Sequence, residues 1–317
     1  MLKTVITIAL ILAASAFAAA QSTERSAPQP VRVGPGKGFS YPYYLYVPAE
    51  LRNDAARGRT HTFLVLPNNT GKLDDSLDVH EADVKKRLSQ IPTLASMLKV
   101  AVIMPVFPRP KTDWKIYTHA LDRDSMVTDK KEYARFDLQL IAMIDDARTR
   151  LKKENIKMDK RVLLNGFSAQ GMFANRFTFL HPDRVKAAAI GSPGGWPIAP
   201  VESYRENTLR YPIGVADLKK VAGKKLDLKT LRTVPLFVFL GDKDENDSVV
   251  FGDSYDDEDR DVVLPLFGQK PVDRWETIRS LYQKAGLNAE FKLYPNVGHT
   301  VDARIREDIL LFMKKHI

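Results

Sequence analysis

Cysteine is absent from the 317 residues. That excludes disulfides, thiolate metal sites, a cysteine nucleophile and a lipoprotein anchor. Histidine is scarce: there are six, and they form no cluster at the helix or loop spacing that holds zinc. After the first twenty residues no apolar run is long enough to cross a bilayer, so membrane insertion of the mature chain is not expected. No internal repeat is present. The formal net charge is +9, yet basic residues alternate with acids, as in Lys152-Lys153-Glu154, instead of forming one stripe. A solvated surface is expected, and nucleic acid is not expected as a partner.

What is present begins with a leader. Lys3 supplies a positive start, Val5 to Ala14 is a short apolar run, and Ala18-Ala19-Ala20 offers small residues for cleavage. Residues 1–20 therefore read as a signal peptide cut before Gln21, which places the mature protein in the periplasm or outside the cell. Residues 21–38, rich in Ser, Pro, Gly and Gln, read as a flexible lead-in. Within it Gly34-Pro35-Gly36-Lys37-Gly38 has the look of a phosphate loop. It lacks the flanking strand and helix, and Pro35 removes an N–H donor.

From residue 39 to 317 strand and helix patterns alternate. Tyr41–Val47, Thr62–Leu66, Val100–Val106, Val162–Leu164, Ala187–Ile190, Leu236–Leu240 and Glu290–Tyr294 read as strands, and the runs among them that are apolar at consecutive positions suit strands buried on both faces. Helical spacing appears in Glu81–Leu98, Asp137–Leu151, Ala169–Leu180, Val272–Ala285 and Ala303–His316. The alternation predicts one α/β domain with a mostly parallel twisted sheet flanked by helices. Residues 192–232 break the rhythm and read as a lid-like insertion.

Chemistry is concentrated at strand ends. Asn165-Gly166-Phe167-Ser168-Ala169-Gln170-Gly171 follows a buried strand and precedes a helix. A serine on such a turn exposes its hydroxyl, and the N–H of Ala169 can face a developing oxyanion. In the pattern G-x-S-x-G the second glycine falls on Gln170, with glycine one residue later. The plainer reading is a helix cap. Further on, Leu240-Gly241-Asp242-Lys243-Asp244 ends one strand in an acid, and Val297-Gly298-His299 ends the next in a histidine. Serine needs a base, and the base needs an acceptor that fixes its tautomer. Ser168, Asp244 and His299 are thus the candidate triad, with Asp247 as the alternative acid. Asn69 and Thr70, after the Thr62–Leu66 run, are the candidate second oxyanion donors, although a simple turn explains them as well. Phe167, Trp196 and His119 are pocket candidates, aromatic residues of this kind being more often core. Asp242, Asp244, Asn246 and Asp253 echo a calcium loop but lack its glycine and its helix pair, and the acidic run Asp256-Asp257-Glu258-Asp259 after them reads as a solvated face.

With these residues assembled, the chain resembles the α/β-hydrolase superfamily, and within it the secreted esterase, polyhydroxyalkanoate-depolymerase and feruloyl-esterase-like group. The resemblance spans roughly residues 40–317. It implies transfer of an acyl group to water through an acyl-serine, a small or polymeric ester as substrate, and no metal or organic cofactor. A peptidase or amidase on the same fold, and a non-catalytic binding protein of that fold, are the alternatives.

Overall fold

The computed structural model describes residues 28–54 and 57–317. The leader read at residues 1–20 and the start of the lead-in lie outside the described residues. One eight-stranded sheet organises the chain. Its strands are β1 (Val31–Val33), β2 (Tyr43–Tyr46), β3 (Thr60–Val65), β4 (Ala101–Pro105), β5 (Lys157–Phe167) and β6 (Val185–Gly191), followed by β9 (Leu236–Gly241) and β10 (Ala289–Tyr294). Between these last two groups a small separate hairpin pairs β7 (Ser203–Tyr204) with β8 (Asn207–Thr208). The order across the large sheet is β1-β2-β4-β3-β5-β6-β9-β10. β2 runs antiparallel to β4 and to β1, and the remaining neighbours are parallel.

Consecutive apolar residues serve two cores because successive side chains of a strand point to opposite faces. Phe63 and Val65 pack into one core with Val162, Leu164, Ala188 and Ile190. Their neighbours Leu64, Leu163, Ala187 and Ala189 pack into the other. The sequence-predicted runs therefore become strands with small shifts of boundary. β3 lies between β4 and β5, so the chain leaves it toward one side of the sheet and later returns on the other. Such a reversal opens a crevice at the carboxyl ends of the strands.

Three expectations are corrected. Val31–Val33 was read as flexible lead-in, but it forms edge strand β1, with Val31 opposite Leu45 and Val33 opposite Tyr43. The free edge of β2 recruits it, since unpaired strand N–H and C=O groups are satisfied by any extended β-branched segment nearby. The single helix expected over Glu81–Leu98 is two, Leu77–Leu88 and Ile91–Leu98, the second with proline in its first turn. Pro92 has no N–H to continue the first helix and suits the start of a new one. The acidic run Asp256-Asp257-Glu258-Asp259, read as a solvated face, opens a further helix, Asp257–Phe267, through a capping box. Four acids in a row and Pro265 hide its periodicity, yet negative side chains suit a helix N-terminus.

The region 192–232 is a packed cap. The Trp196 indole donates to Ile213 O at 2.9 Å, Tyr255 donates to Trp196 O at 2.7 Å, and Asn175 accepts from Ile198 N–H at 2.9 Å. Arg210 ties it to the acidic helix, reaching Asp259 at 2.7 Å and Asp256 at 2.8 Å.

The helix Ala169–Leu180 approaches the backbones of β5 and β6 closely. A Cβ on Gly171 would fall 2.3 Å from Gly191 O, and one on Gly166 would fall 2.2 Å from Gln170 O. Gly171→Ala must push helix from strand and should lower stability by about 1–3 kcal/mol. Urea unfolding of the variant checks this; an unchanged midpoint would show that helix and strand do not meet there.

Candidate active site

The crevice is bounded by the loops that follow β3, β5, β9 and β10. After β5 the backbone turns sharply into the helix Ala169–Leu180, and the turning residue is Ser168, at φ 60° and ψ −129°. A non-glycine residue there stores roughly 1–3 kcal/mol of strain. Two bonds hold it: Ser168 N–H donates to Gly191 O at 3.0 Å, and Ser168 O accepts from Met172 N–H at 2.9 Å. Ser168 itself is half-buried at the opening of the helix. The helix's first N–H groups, Ala169 among them, have no partners within the helix, which makes that end favourable to negative charge.

Gln170, the departure from the elbow pattern, finds room by pointing outward. Its Nε2 donates to Pro67 O and so ties the elbow to the loop after β3. The glycine that close packing demands sits at Gly171 instead. In the β3 loop, Gly71 N–H donates to Asn69 Oδ1 at 3.2 Å and Lys72 N–H to Thr70 Oγ1 at 3.1 Å. Neither bond uses the N–H of Asn69 or Thr70, so both remain available as donors. Thr70 Oγ1 also lies 3.2 Å from Nδ1 of buried His80.

Two residues that sequence reasoning passed over support this loop. Asn68 is fully buried, and its side-chain amide mimics a strand neighbour. It accepts from Phe107 N–H at 3.0 Å and donates to Phe107 O at 2.9 Å. His80 Nε2 accepts from Arg109 N–H at 3.1 Å. For Asn68 the available signal was position, a polar residue shortly after a buried strand; His80, inside the helix Leu77–Leu88, gave none. His119, a pocket candidate, is corrected to a buried prop: it is 0% exposed and its Nε2 donates to Phe107 O at 2.7 Å. Burial, outweighing that bond, holds its pKa down to about 3. Trp196 is likewise core, 1% exposed and stacked on Phe267 at 4.0 Å. Phe167 keeps its place beside the site. Its half-buried ring lies 4.7 Å from the imidazole of His299 and stacks on Phe239 at 6.4 Å.

Acid and base stand together. His299 Nδ1 lies 2.9 and 3.0 Å from the two oxygens of Asp244, whose side chain is sealed from water. Burial works against the charge on Asp244. The bond from His299 and the Asn246 N–H at 3.0 Å outweigh it and hold its pKa below the usual carboxylate value. The Ser192 hydroxyl faces the same carboxylate without the geometry of a hydrogen bond. Asp247, the alternative acid, is committed elsewhere, bridging both terminal nitrogens of fully buried Arg274 at 2.9 and 2.7 Å. Asp253, part of the calcium-loop echo, pairs with Arg109 at 2.6 Å. Among the described residues no three His, Asp or Glu side chains are grouped to hold a metal ion. Phe167 thus joins elbow and imidazole, although Ser168 Oγ is not hydrogen-bonded to His299 in this structure.

No family model matches the chain, and no curated protein matches its sequence. Solved structures do resemble it. A poly(aspartic acid) hydrolase from Sphingomonas sp. KT-1 superposes with TM-score 0.58 at 17% identity, over 90% of this chain and 98% of that one. A poly(3-hydroxybutyrate) depolymerase from Bordetella parapertussis gives 0.52 at 14% identity, over 86% and 85%. A ferulic acid esterase gives 0.51 at 14%, over 92% and 99%. With the sheet order above, these likenesses show that the chain has the α/β-hydrolase fold.

Two outcomes check the electrostatics of the site's supports. Folding keeps His119 neutral far below its unfolded value near 6.5, so the stability tied to it is complete above about pH 6.5 and is lost as pH falls toward 3. His119→Gln should remove a slope of roughly 1.4 kcal/mol per pH unit below pH 6, read from urea unfolding at pH 7, 6, 5 and 4. Parallel curves for the two proteins would mean that His119 takes up its proton while folded. Asp247→Ala strands the Arg274 charge and should cost about 3–5 kcal/mol, most of it recovered in Asp247→Ala/Arg274→Met. A single variant as stable as the parent would refute the pairing.

Proposed function

We propose that this chain is a serine hydrolase that cleaves carboxylic esters through an acyl-serine intermediate. The observation that carries the reading is the His299–Asp244 pair beside the strained serine turn. With Nδ1–H donated to Asp244, the His299 Nε2 lone pair is free to accept a proton. In the proposed sequence His299 takes the Ser168 proton as Oγ attacks the ester carbonyl. N–H groups of Ala169 and of Asn69 or Thr70 stabilise the oxyanion. Protonated His299 then releases the alcohol, and water attacks the acyl-serine with His299 again as base. The buried charge on Asp244 favours the imidazolium that forms twice in this cycle.

Other features support the reading. A serine that merely capped the helix would need no strained φ, and the structure gives Ser168 no side-chain cap bond. The proteins of similar fold are named as a hydrolase, a depolymerase and an esterase. The leader read at residues 1–20 makes the place of action the periplasm or the cell exterior in this proposal.

The test is direct. A fluorophosphonate probe should label the purified protein at Ser168 and leave Ser168→Ala unlabelled. On p-nitrophenyl butyrate, Ser168→Ala should lose at least about a thousandfold in kcat, and Asp244→Asn a comparable factor through the wrong histidine tautomer. Equal labelling of Ser168→Ala would remove Ser168 from the mechanism. Turnover unaffected by Asp244→Asn would remove the acid.

A further inference from the structure

Basic residues that are scattered along the sequence converge in the fold. Parallel strands start at one edge of the sheet, and the helices that return to them end at that edge. This amino edge lies opposite the crevice. It receives Lys99 after the helix Ile91–Leu98, Lys152 in the last turn of the helix Phe136–Lys153, Lys157 and Lys160 at the start of β5, and Lys314 and Lys315 in the last turn of the helix Ala303–Lys315. Phe312 of that last helix meets Phe237 at the start of β9, ring centroids 5.6 Å apart, which fixes its end there. The lysines thus come from both helical layers and from the sheet between them. All six are exposed, and none enters an ion pair. Arg148, Lys152 and Lys157 also line a recess of about 600 Å³ that has no aspartate or glutamate in its walls.

Basic residues at helix ends are expected, because they complement the helix dipole. Lys157 and Lys160 have no such explanation, since they begin a strand and a sheet has little net dipole. Nor do neighbouring acids neutralise the edge. Glu154 is held by Arg52, and Asp145 by Arg184 at 2.7 Å. Near the crevice the pattern differs: Arg109 is held by Asp253, Arg274 by Asp247 and Lys130 by Asp113. Two apolar side chains stand exposed beside the lysines of the amino edge. Met97 is 47% exposed next to the end of its helix, and Leu311 is 58% exposed one turn before the end of its own.

We propose that the amino edge docks the protein on an anionic lipid surface. Headgroup phosphates lie against the lysines, one of them in the recess beside Lys152 and Lys157, and Met97 and Leu311 dip into the headgroup layer. A soluble polyanion calls for charge alone, whereas charge joined to exposed apolar side chains is what a lipid surface favours. A single-stranded nucleic acid calls for aromatic rings on which bases stack, and the recess has none. Docked this way, the crevice faces away from the bilayer and takes its substrate from solution. The docking is independent of the chemistry proposed for the crevice.

Cosedimentation with vesicles tests this. At about 0.1 M salt the protein should bind vesicles of phosphatidylglycerol and phosphatidylcholine in equal parts at least about tenfold more tightly than phosphatidylcholine alone, and about 1 M salt should abolish the difference. Lys152→Gln/Lys157→Gln should weaken binding about tenfold or more, since each lysine near such a surface contributes roughly fivefold. Lys111→Gln/Lys131→Gln makes the same change of net charge on exposed residues after β4, and should bind as the parent does. Met97→Ser/Leu311→Ser should also bind more weakly, by about tenfold. Urea unfolding checks that each variant is folded. Equal weakening by the two lysine pairs would reduce the effect to net charge and overturn the proposal. So would absence of vesicle binding, or retention on heparin–agarose without vesicle binding, which would assign the edge to a soluble polyanion.

Discussion

The loops after β9 and β10 are zipped to each other by their backbones, and the candidate site hangs from that contact. Asp242 N–H donates to Tyr294 O at 3.0 Å and Lys243 N–H to Val297 O at 2.9 Å. Gly241 permits it, since a Cβ there would stand 2.1 Å from Val297 O. Asp244 and His299 are far apart in sequence, yet this seam sets their side chains within one hydrogen bond. Because the carboxylate is buried and aimed by backbone, the proposed reaction would need little reorganisation as charge formed on the imidazole.

The other half of the site depends on a second close approach, between the helix after Ser168 and β6. Steric need for glycine is met at Gly171 and not at Gln170. That frees Gln170 to cross to Pro67 and bind the serine turn to the loop after β3. Behind this loop, Asn68, His80 and His119 replace the strand partners that the chain lacks once it leaves the sheet. The site therefore rests on two backbone contacts and one buried polar cluster, with the packed 192–232 cap held in place from outside by Arg210 and from within by Trp196.

Element types were legible because apolar runs such as Phe63-Leu64-Val65 serve two cores at once and leave a dense local signal. Boundaries failed where long-range pairing overrode composition. Val31–Val33 is a strand only because β2 has an edge to offer, and Asp257–Phe267 is a helix whose buried Asp259 is paid for by Arg210, a residue distant in sequence. Aromatic character could not separate Phe167, which flanks the imidazole, from Trp196, which is core. The difference lies in what packs above each ring.

The sequence by itself determined the alternation of buried strands and helices, the serine at a strand-to-helix turn, and an acid and a histidine each following a strand. These are local properties, written in spacing and side-chain type. Only the tertiary structure decided that Asp244 faces His299 while Asp247 faces Arg274, since both acids lie in one turn and differ only in which partner the fold brings to them. Charge pairing is settled by which surfaces the fold removes from water, and no local pattern encodes that.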